Sequence, residues 1–208
     1  MNTRAVIVAA GGANFGSLRE ACRRVGVDIE VTDDASRIRN ATHVILPGVG
    51  AATQAMRALR ESGLDRVVAR LTQPLLGVCL GMQLLYEASE ETSATSAPNG
   101  ESASECLGLL KGTVRRLPAA PSWPHMGWNQ IALKQPAHAL LTDIGANDWF
   151  YFVHGYAAPV NAQSIAQSEH GDAFAAVVAE RNVHGAQFHP EKSAAAGRRL
   201  LTNFFALT

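Results

Sequence analysis

The sequence predicts an α/β fold, a three-layer α/β/α arrangement around a central, mostly parallel sheet with an added antiparallel portion. In the first half of the chain, short runs rich in Val, Ile and Leu alternate with helical patterns. Such runs are typical of parallel strands that helices cover on both faces. In the second half, strand-like runs follow one another with polar or Gly-Pro punctuation, which favours antiparallel or mixed pairing.

The elements follow from these runs. Strands are predicted at 5–10, 27–31, 43–48 and 75–78, and helices at 17–25, 51–61, 64–71 and 80–88. The strand-like runs of the second half are TVRRL, NQIAL, WFYFVH, SIAQS and FAAVVAE, before a closing helix at 194–207. Segment 89–105 is rich in Ser, Thr, Ala and Glu and has no apolar period, which predicts a solvated surface loop. No repeat or linker divides the chain, so we expect a single domain over 1–208.

Composition and charge exclude several classes of protein. Hydrophobic residues make up 47% of the 208 residues, enough for a substantial core. The 18 basic and 18 acidic residues give a net charge of +0, and no basic stripe indicates a nucleic-acid or membrane partner. The apolar stretches are shorter than a membrane span, and the one near the N-terminus fits a buried first strand better than a signal peptide.

The cysteine count predicts a reduced, cytoplasmic protein without a metal site or other cofactor. Cys22, Cys79 and Cys106 fit no metal-binding spacing, and their odd number argues against a disulfide framework. Cys22 lies in a helical pattern and Cys106 borders the predicted loop, so both are interpreted as small buried hydrophobes.

Cys79 differs because it lies in Gly77-Val78-Cys79-Leu80-Gly81, where a predicted strand meets a helix. This is the G-x-nucleophile-x-G pattern with Cys in place of Ser. Such a turn holds the nucleophile in a strained conformation and places its sulfur near a helix N-terminus, which favours the thiolate. The N–H of Leu80 then lies near the forming oxyanion. Hydrophobic packing of Cys79 is the alternative.

A cysteine nucleophile needs a base, and His189 is the candidate among seven histidines. It follows a strand-like run and precedes Pro190, with Glu191 two residues on. If the segment is extended, His189 and Glu191 project from the same side, so the carboxylate can orient the imidazole as in a Cys–His–Glu triad. A capping His and a surface Glu are the alternative. Surface or structural roles are expected for the remaining candidates His43, His138, His170 and His184.

A second oxyanion donor is expected from another loop at the same edge of the sheet. Pro47-Gly48-Val49-Gly50 ends the strand at 43–48, which places it there. Its glycines let a backbone N–H approach substrate closely and allow a peptide to reorient.

Five motifs in chain order resemble the class I, triad-type glutamine amidotransferases: LPGVG, GVCLGMQLL, PHMGWN, YFVHGY and QFHPEKS. More narrowly, PHMGWN and LPGVG resemble the glutaminase subunits of imidazole glycerol phosphate synthase. The resemblance covers nearly the whole chain and implies a flavodoxin-like fold.

The resemblance also implies a reaction. Cys79 would attack the side-chain amide of glutamine, His189 would protonate the departing ammonia, and water would cleave the glutamyl thioester. The implied binding residues are Val49 and Leu80 as oxyanion donors, Gly50 and Gln83 in the glutamine pocket, and the backbone of Gly155 and Tyr156 at the amino-acid end. Ammonia would pass to a (βα)₈-barrel synthase subunit that forms imidazole glycerol phosphate and an aminoimidazole carboxamide ribotide. The residues implied at that interface are Asn14, Met126 and Trp128.

The chain departs from the family pattern at three places. At 9–14 only Asn14 keeps its place, Gly155 stands where Ser is usual, and the segment 89–105 is longer than in the family. Three alternatives are weighed against the motifs. PHMGWN argues against the glutaminase of pyridoxal phosphate synthesis. The His-Pro-Glu run argues against another cysteine hydrolase or protective protein, and the intact triad argues against an inactive regulatory subunit.

Overall fold

The computed structural model describes residues 3–9, 14–91, 103–118 and 122–208. The strands in these ranges are β1 Ala5–Val8, β2 Ile29–Thr32, β3 His43–Gly48, β4 Leu75–Cys79, β5 Tyr86–Ser89, β6 Ser104–Glu105, β7 Leu110–Arg116, β8 His125–Gln130, β9 Ala132–Leu133, β10 Trp149–His154, β11 Tyr156–Ala157, β12 Ser164–His170, β13 Asp172–Glu180 and β14 Val183–Ala186. The helices are α1 Phe15–Arg24, α2 Ala35–Asn40, α3 Ala52–Glu61, α4 Leu64–Val68, α5 Leu80–Gln83 and α6 Ala194–Ala206, with 3-10 turns at Ala139–Leu141 and Pro190–Lys192. None of the helices so described has the length and apolar character that crossing a bilayer requires.

An eight-stranded sheet in the order β2-β1-β3-β4-β14-β13-β12-β9 forms the centre of the structure. Its first five strands pair in parallel, and β13, β12 and β9 continue it antiparallel. Two smaller sheets, β10-β8 and β11-β7-β5-β6, lie beside it. The predicted α/β class is therefore confirmed, and the antiparallel portion continues the sheet beyond β14.

Two apolar cores lie on opposite faces of this sheet. Along β1, Ala5 and Ile7 belong to the core that includes buried residues of α1 and α6, whereas Val6 and Val8 belong to the core with α2, α3 and α4. Successive side chains of a strand point to opposite faces, so strands buried on both faces are apolar at most successive positions. This burial explains why they are apolar runs in the sequence.

The predicted helix over 80–88 is wrong beyond Gln83. Residues Tyr86–Ser89 form β5 instead, and the carbonyl oxygens that a longer helix would use accept other bonds. The N–H of Leu107 donates to Leu84 O at 2.9 Å, and the N–H groups of Leu109 and Leu110 donate to Leu85 O at 2.8 and 2.9 Å. Tertiary hydrogen bonds thus override the helical pattern of this segment.

The predicted loop over 89–105 is also too wide at both ends. Ser89 is buried at the end of β5 and pairs with Ser104 of β6. Glu91 accepts a hydrogen bond from the N–H of Ala52 at 3.3 Å, and Thr53 Oγ1 lies 2.7 Å from Ser104 Oγ. Residues 92–102 of the predicted loop lie outside the described residues.

One short helix was not predicted, and several ends differ. Helix α2 begins after Asp34, whose side chain accepts from the N–H groups of Ser36 and Arg37, a capping pattern that the sequence contains. Strand β2 begins at Ile29 rather than at Val27, whose N–H still bonds to the end of α1.

The turn from β4 into α5 lies against β3 without room for side chains. A Cβ on Gly81 would lie 1.8 Å from Leu46 O, and one on Gly77 would lie 2.7 Å from Met82 Cα. Gly48 is equally confined, because its Cβ would lie 2.9 Å from Gly81 N. Glycine is therefore required at these positions by close packing of backbone on backbone.

We expect Gly81→Ala to destabilise the fold by about 1–3 kcal/mol, because the methyl group meets a backbone oxygen that can move only with β3. Gly145→Ala is the control, since no atom lies within 4 Å of its added Cβ. Denaturant unfolding of both variants measures the difference. Equal stability of the two would contradict this account of the turn.

Candidate active site

Three neighbouring parallel strands, β3, β4 and β14, end together at one edge of the sheet. Gly48 is in register with Cys79, and Ala186 is in register with Val78. The loop after β3 and the segment after β14 therefore flank Cys79 on either side. This edge, where the carboxyl ends of parallel strands meet, is the usual position of sites in α/β folds.

A cavity of about 400 Å³ opens at this edge, within the size range of small-molecule sites. Asn14 lines it, and so do all the predicted catalytic and substrate-binding residues. These are Val49, Gly50, Cys79, Leu80, Gln83, Gly155, Tyr156, His189 and Glu191. Met126 and Trp128 do not line the cavity. They lie on an exposed face of β8, with exposed fractions of 67% and 50%.

Cys79 has the strained backbone that the sequence pattern predicts, with φ 53° and ψ −114°. A positive φ is costly for a residue with a Cβ, and such strain is concentrated at functional sites. The Cys79 thiol donates to Val153 O at 3.8 Å, and Gln187 Nε2 donates to its Sγ at 3.8 Å. The sulfur is thus nearly buried yet open to the cavity.

The side chains of His189 and Glu191 form a buried pair, with 2.8 Å between His189 Nδ1 and Glu191 Oε1. The segment is not extended as predicted: Pro190–Lys192 form a 3-10 turn, and this turn brings Glu191 back to the ring. Burial lowers the pKa of His189, but its hydrogen bonds and charge interactions with Cys79 and Glu191 outweigh burial and raise this pKa to about 10.

Ser193 fixes the turn after His189, a role that sequence reasoning missed. Its hydroxyl donates to His189 O at 2.6 Å and accepts from the N–H of Tyr151 at 3.0 Å. The N–H of His189 donates in turn to Tyr151 O at 2.9 Å. The position of Ser193 in QFHPEKS was the only signal that the sequence offered.

Gly155 is more than a neutral replacement for the serine usual in the family. Its added Cβ would lie 2.6 Å from Trp123 Cζ2, so the indole occupies the space of a side chain. Trp123 Nε1 also donates to Gly155 O at 2.9 Å, and Arg116 lies 4.3 Å from the centre of the indole ring. Glycine at 155, which lines the cavity, therefore makes room for the Trp123 indole.

A buried imidazole pair lies behind the cavity and was not singled out from the sequence. His125 Nδ1 lies 3.1 Å from His154 Nε2, and His154 Nδ1 lies 2.9 Å from Tyr156 O. Burial lowers the pKa of His154 to about 3 and that of His125 to about 4. Both rings are therefore neutral near pH 7, and His154 lines the cavity as an uncharged group.

The donors at this edge do not form a metal site. Within the four described ranges, no group of three or more His, Cys, Asp or Glu side chains is placed to hold a metal ion. The arrangement instead brings a thiol, an imidazole and a carboxylate to one cavity, which is the set required for nucleophilic attack on an acyl carbon.

Comparison with known proteins agrees with this geometry. The family described as glutamine amidotransferase class-I matches residues 6–207. The chain is 45% identical to the imidazole glycerol phosphate synthase subunit HisH of Shewanella loihica, covering 99% of this chain and 92% of that protein. It is 48% identical to the subunit of the same name from Xanthomonas euvesicatoria, over 99% and 98% of the two chains. A solved glutamine amidotransferase has the same fold, with a TM-score of 0.70 at 20% identity over 96% of each chain.

We expect Glu191→Gln to lower the pKa of His189, because the variant removes one of the charges that hold this pKa near 10 while burial still opposes protonation. NMR titration of the imidazole in the wild type and the variant measures the change. The folded pKa exceeds the ordinary 6.5, so protonation of His189 stabilises the fold fully below pH 6.5, and this stabilisation is lost as the pH rises towards 10.

Glu61→Gln provides the control for this titration, since Glu61 pairs with Arg57 on an exposed face of α3. It should leave the titration of His189 in place. If His189 titrates alike in the wild type and Glu191→Gln, the carboxylate does not hold the imidazolium.

Proposed function

The chain belongs to the glutamine amidotransferase class-I family, and we propose that it hydrolyses glutamine to glutamate and ammonia for a (βα)₈-barrel synthase subunit. The observation that carries the proposal is one cavity that holds Cys79 on a strained turn together with the hydrogen-bonded pair of His189 and Glu191. The relatives named as imidazole glycerol phosphate synthase subunits support the choice of reaction. A biosynthetic role of this kind places the protein in the cytoplasm.

The chemistry proceeds in two steps. The Cys79 thiolate attacks the side-chain amide carbon of glutamine, and the N–H groups of Leu80 and Val49 stabilise the oxyanion that forms. His189, oriented by Glu191, gives a proton to the departing nitrogen, which leaves as ammonia. The resulting glutamyl thioester is then attacked by water, which loses a proton to His189, and glutamate is released as the thiolate reforms.

The pocket for glutamine lies between the turn after Cys79 and the segment at 155–156. Gln83 and Gly50 line it, and the main chain of Gly155 and Tyr156 forms the opposite wall. The carbonyl oxygens of Gly155 and Tyr156 each already accept two hydrogen bonds. A contact between this wall and the amino-acid end of glutamine therefore uses main-chain groups other than these oxygens.

The Val49 peptide is the part of the oxyanion site that can reorient. Val49 is 48% exposed, and Gly50 has a φ of +89° with no atom within 4 Å of an added Cβ. Gly48 is confined by the turn at Gly81, so the freedom lies on the Gly50 side. A resting state with the N–H of Val49 turned away lacks one oxyanion donor, which costs about 10²–10³ in turnover.

The two-stranded sheet β10-β8 offers a surface for the synthase partner. Met126 and Trp128 on β8, with Trp149 and Tyr151 on β10, project from its exposed face. Tyr151 packs edge-on against Trp128 at 5.9 Å and lies 5.5 Å below the Lys192 ammonium. Large exposed apolar faces of this kind mark protein interfaces, and aromatic side chains dominate their energetics.

This face continues to the cavity, which defines a path for the ammonia from the cavity to the partner. Val153 follows Tyr151 on the same side of β10 and lines the cavity, and Asn14 lines it as well. A barrel subunit seated on this face would cover the cavity mouth, so ammonia would reach the acceptor without entering solvent. There it would join a ribulosyl-type intermediate to give imidazole glycerol phosphate and aminoimidazole carboxamide ribotide.

Cys79→Ala should abolish glutamine hydrolysis while the fold and the binding of the barrel subunit persist, because only the nucleophile is removed. Cys106→Ala is the matched control, since Cys106 directly follows β6 and does not line the cavity. Glutamate release by both variants is the measurement. Retention of turnover in Cys79→Ala would overturn the mechanism.

The isolated chain should be a poor glutaminase that its partner and the acceptor ligand activate by about 10²–10³, the value of one oxyanion donor. Steady-state glutamine turnover is measured for the chain alone, with the barrel subunit, and with the subunit plus acceptor.

Trp128→Ala should weaken binding of the barrel subunit by more than about tenfold.

Arg66→Ala, on the exposed side of α4, serves as the control for binding. Equal turnover in all three mixtures would mean that the oxyanion site is permanently assembled. Unchanged affinity in Trp128→Ala would move the interface away from the β10-β8 face.

A further inference from the structure

Gln187 lies directly behind the nucleophile and has no role in the reaction described above. Gln187 directly follows β14, and its side chain is fully buried. Its backbone N–H donates to Ala176 O at 2.9 Å. Its side-chain Nε2 lies 3.8 Å from Cys79 Sγ. A buried amide is expensive unless its polar atoms have partners, so the bonds that it makes indicate why it is there.

The Tyr156 carbonyl group sets the orientation of the Gln187 amide through the side chain of Gln83. Tyr156 O can only accept, so the Gln83 atom at 2.7 Å from it must be the donor Nε2. That nitrogen also lies 2.9 Å from Gln187, which must therefore present its acceptor Oε1. The remaining Gln187 atom, Nε2, is then the one that faces the sulfur.

Hydrogen-bond and charge interactions with His189 favour the charged form of the sulfur, and the Gln187 amide adds a neutral donor that favours the same form. Helix α5 has only four residues, so its dipole is small. Val153 O, at 3.8 Å from Sγ, accepts from the thiol and favours the neutral form. An amide N–H stabilises a thiolate by donating a hydrogen bond to it. Because the amide is neutral, it does not take up the proton that His189 carries.

We propose that Gln187 is a positioning residue for the nucleophile, whose amide holds and stabilises the Cys79 thiolate in the direction set by Gln83 and the Tyr156 carbonyl. The inference rests on the proposed function only for the identity of the nucleophile. It gives Gln83 a second task, because this pocket residue also orients the amide behind the sulfur. A substrate that moves Gln83 would therefore also move the amide that contacts Cys79.

The test uses alkylation of Cys79 by iodoacetamide as a function of pH, read by mass spectrometry of the labelled peptide. Gln187→Met keeps the length of the side chain and removes the donor. We expect the pH profile of alkylation to be displaced upwards by about one unit, the size of one hydrogen bond to a charged group, so that alkylation on the rising part of the profile is slower by up to about tenfold. Gln187→Glu should show a larger displacement, because a carboxylate faces the sulfur.

The other cysteines leave this measurement clear. Burial raises the pKa of Cys22 to about 12 and that of Cys106 to about 11, so neither thiol reacts appreciably near pH 7. Gln73→Met is the matched control: Gln73 Nε2 donates to Ile38 O at 3.0 Å, away from the cavity. Its alkylation profile should coincide with that of the wild type.

Gln83→Met keeps the proposal falsifiable if Gln187→Met fails to fold. Without Gln83 the Gln187 amide is free to reverse, so the profile should move in the same direction by a smaller amount. Coincidence of the folded variants with the wild type would overturn the proposal. Because alkylation needs no glutamine, a displaced profile supports the role of Gln187 even in a chain that fails to hydrolyse glutamine, and that failure would count against the proposed function alone.

Discussion

The close contact between β3 and the turn from β4 into α5 is the constraint on which the site depends. Gly81 lies against Leu46 O so tightly that no side chain fits, and Gly48 meets the same turn from the other side. This contact lets α5 begin directly after β4 and leaves Cys79 with a positive φ at the end of that strand. The nucleophile is exposed to the cavity because the glycines around it have no side chains.

A row of buried hydrogen bonds ties the walls of the cavity to this turn. Tyr156 O accepts from His154 on one side and from Gln83 on the other, and Gln83 continues to Gln187. Buried polar groups that are fully paired specify one arrangement, because any other leaves a donor or acceptor without a partner. The strands β10 and β14 and the helix α5 are thus held at fixed distances around Cys79.

Local patterns in the sequence were enough to predict the parallel strands, the strained turn at Cys79 and the pairing of His189 with Glu191, although this pair forms through a 3-10 turn and not through the predicted extended segment. They failed where distant residues decide the structure. The pattern over 80–88 is helical, but bonds from Leu107 and Leu109 end the helix at Gln83. The role of Gln187 was likewise hidden, since its partners are 104 and 108 positions away in the chain. No spacing rule connects residues so far apart.

The partners of each imidazole explain why one cavity holds two histidines of opposite character. His154 donates to a neutral carbonyl and receives from another imidazole, so burial dominates and its pKa falls to about 3. His189 is buried to a similar degree, but it faces a carboxylate and a thiol that can ionise, and its pKa rises to about 10. Only His189 can therefore carry a proton to a leaving group near neutral pH. His154 stays uncharged and serves the cavity wall, because its hydrogen bonds to His125 and Tyr156 engage both ring nitrogens.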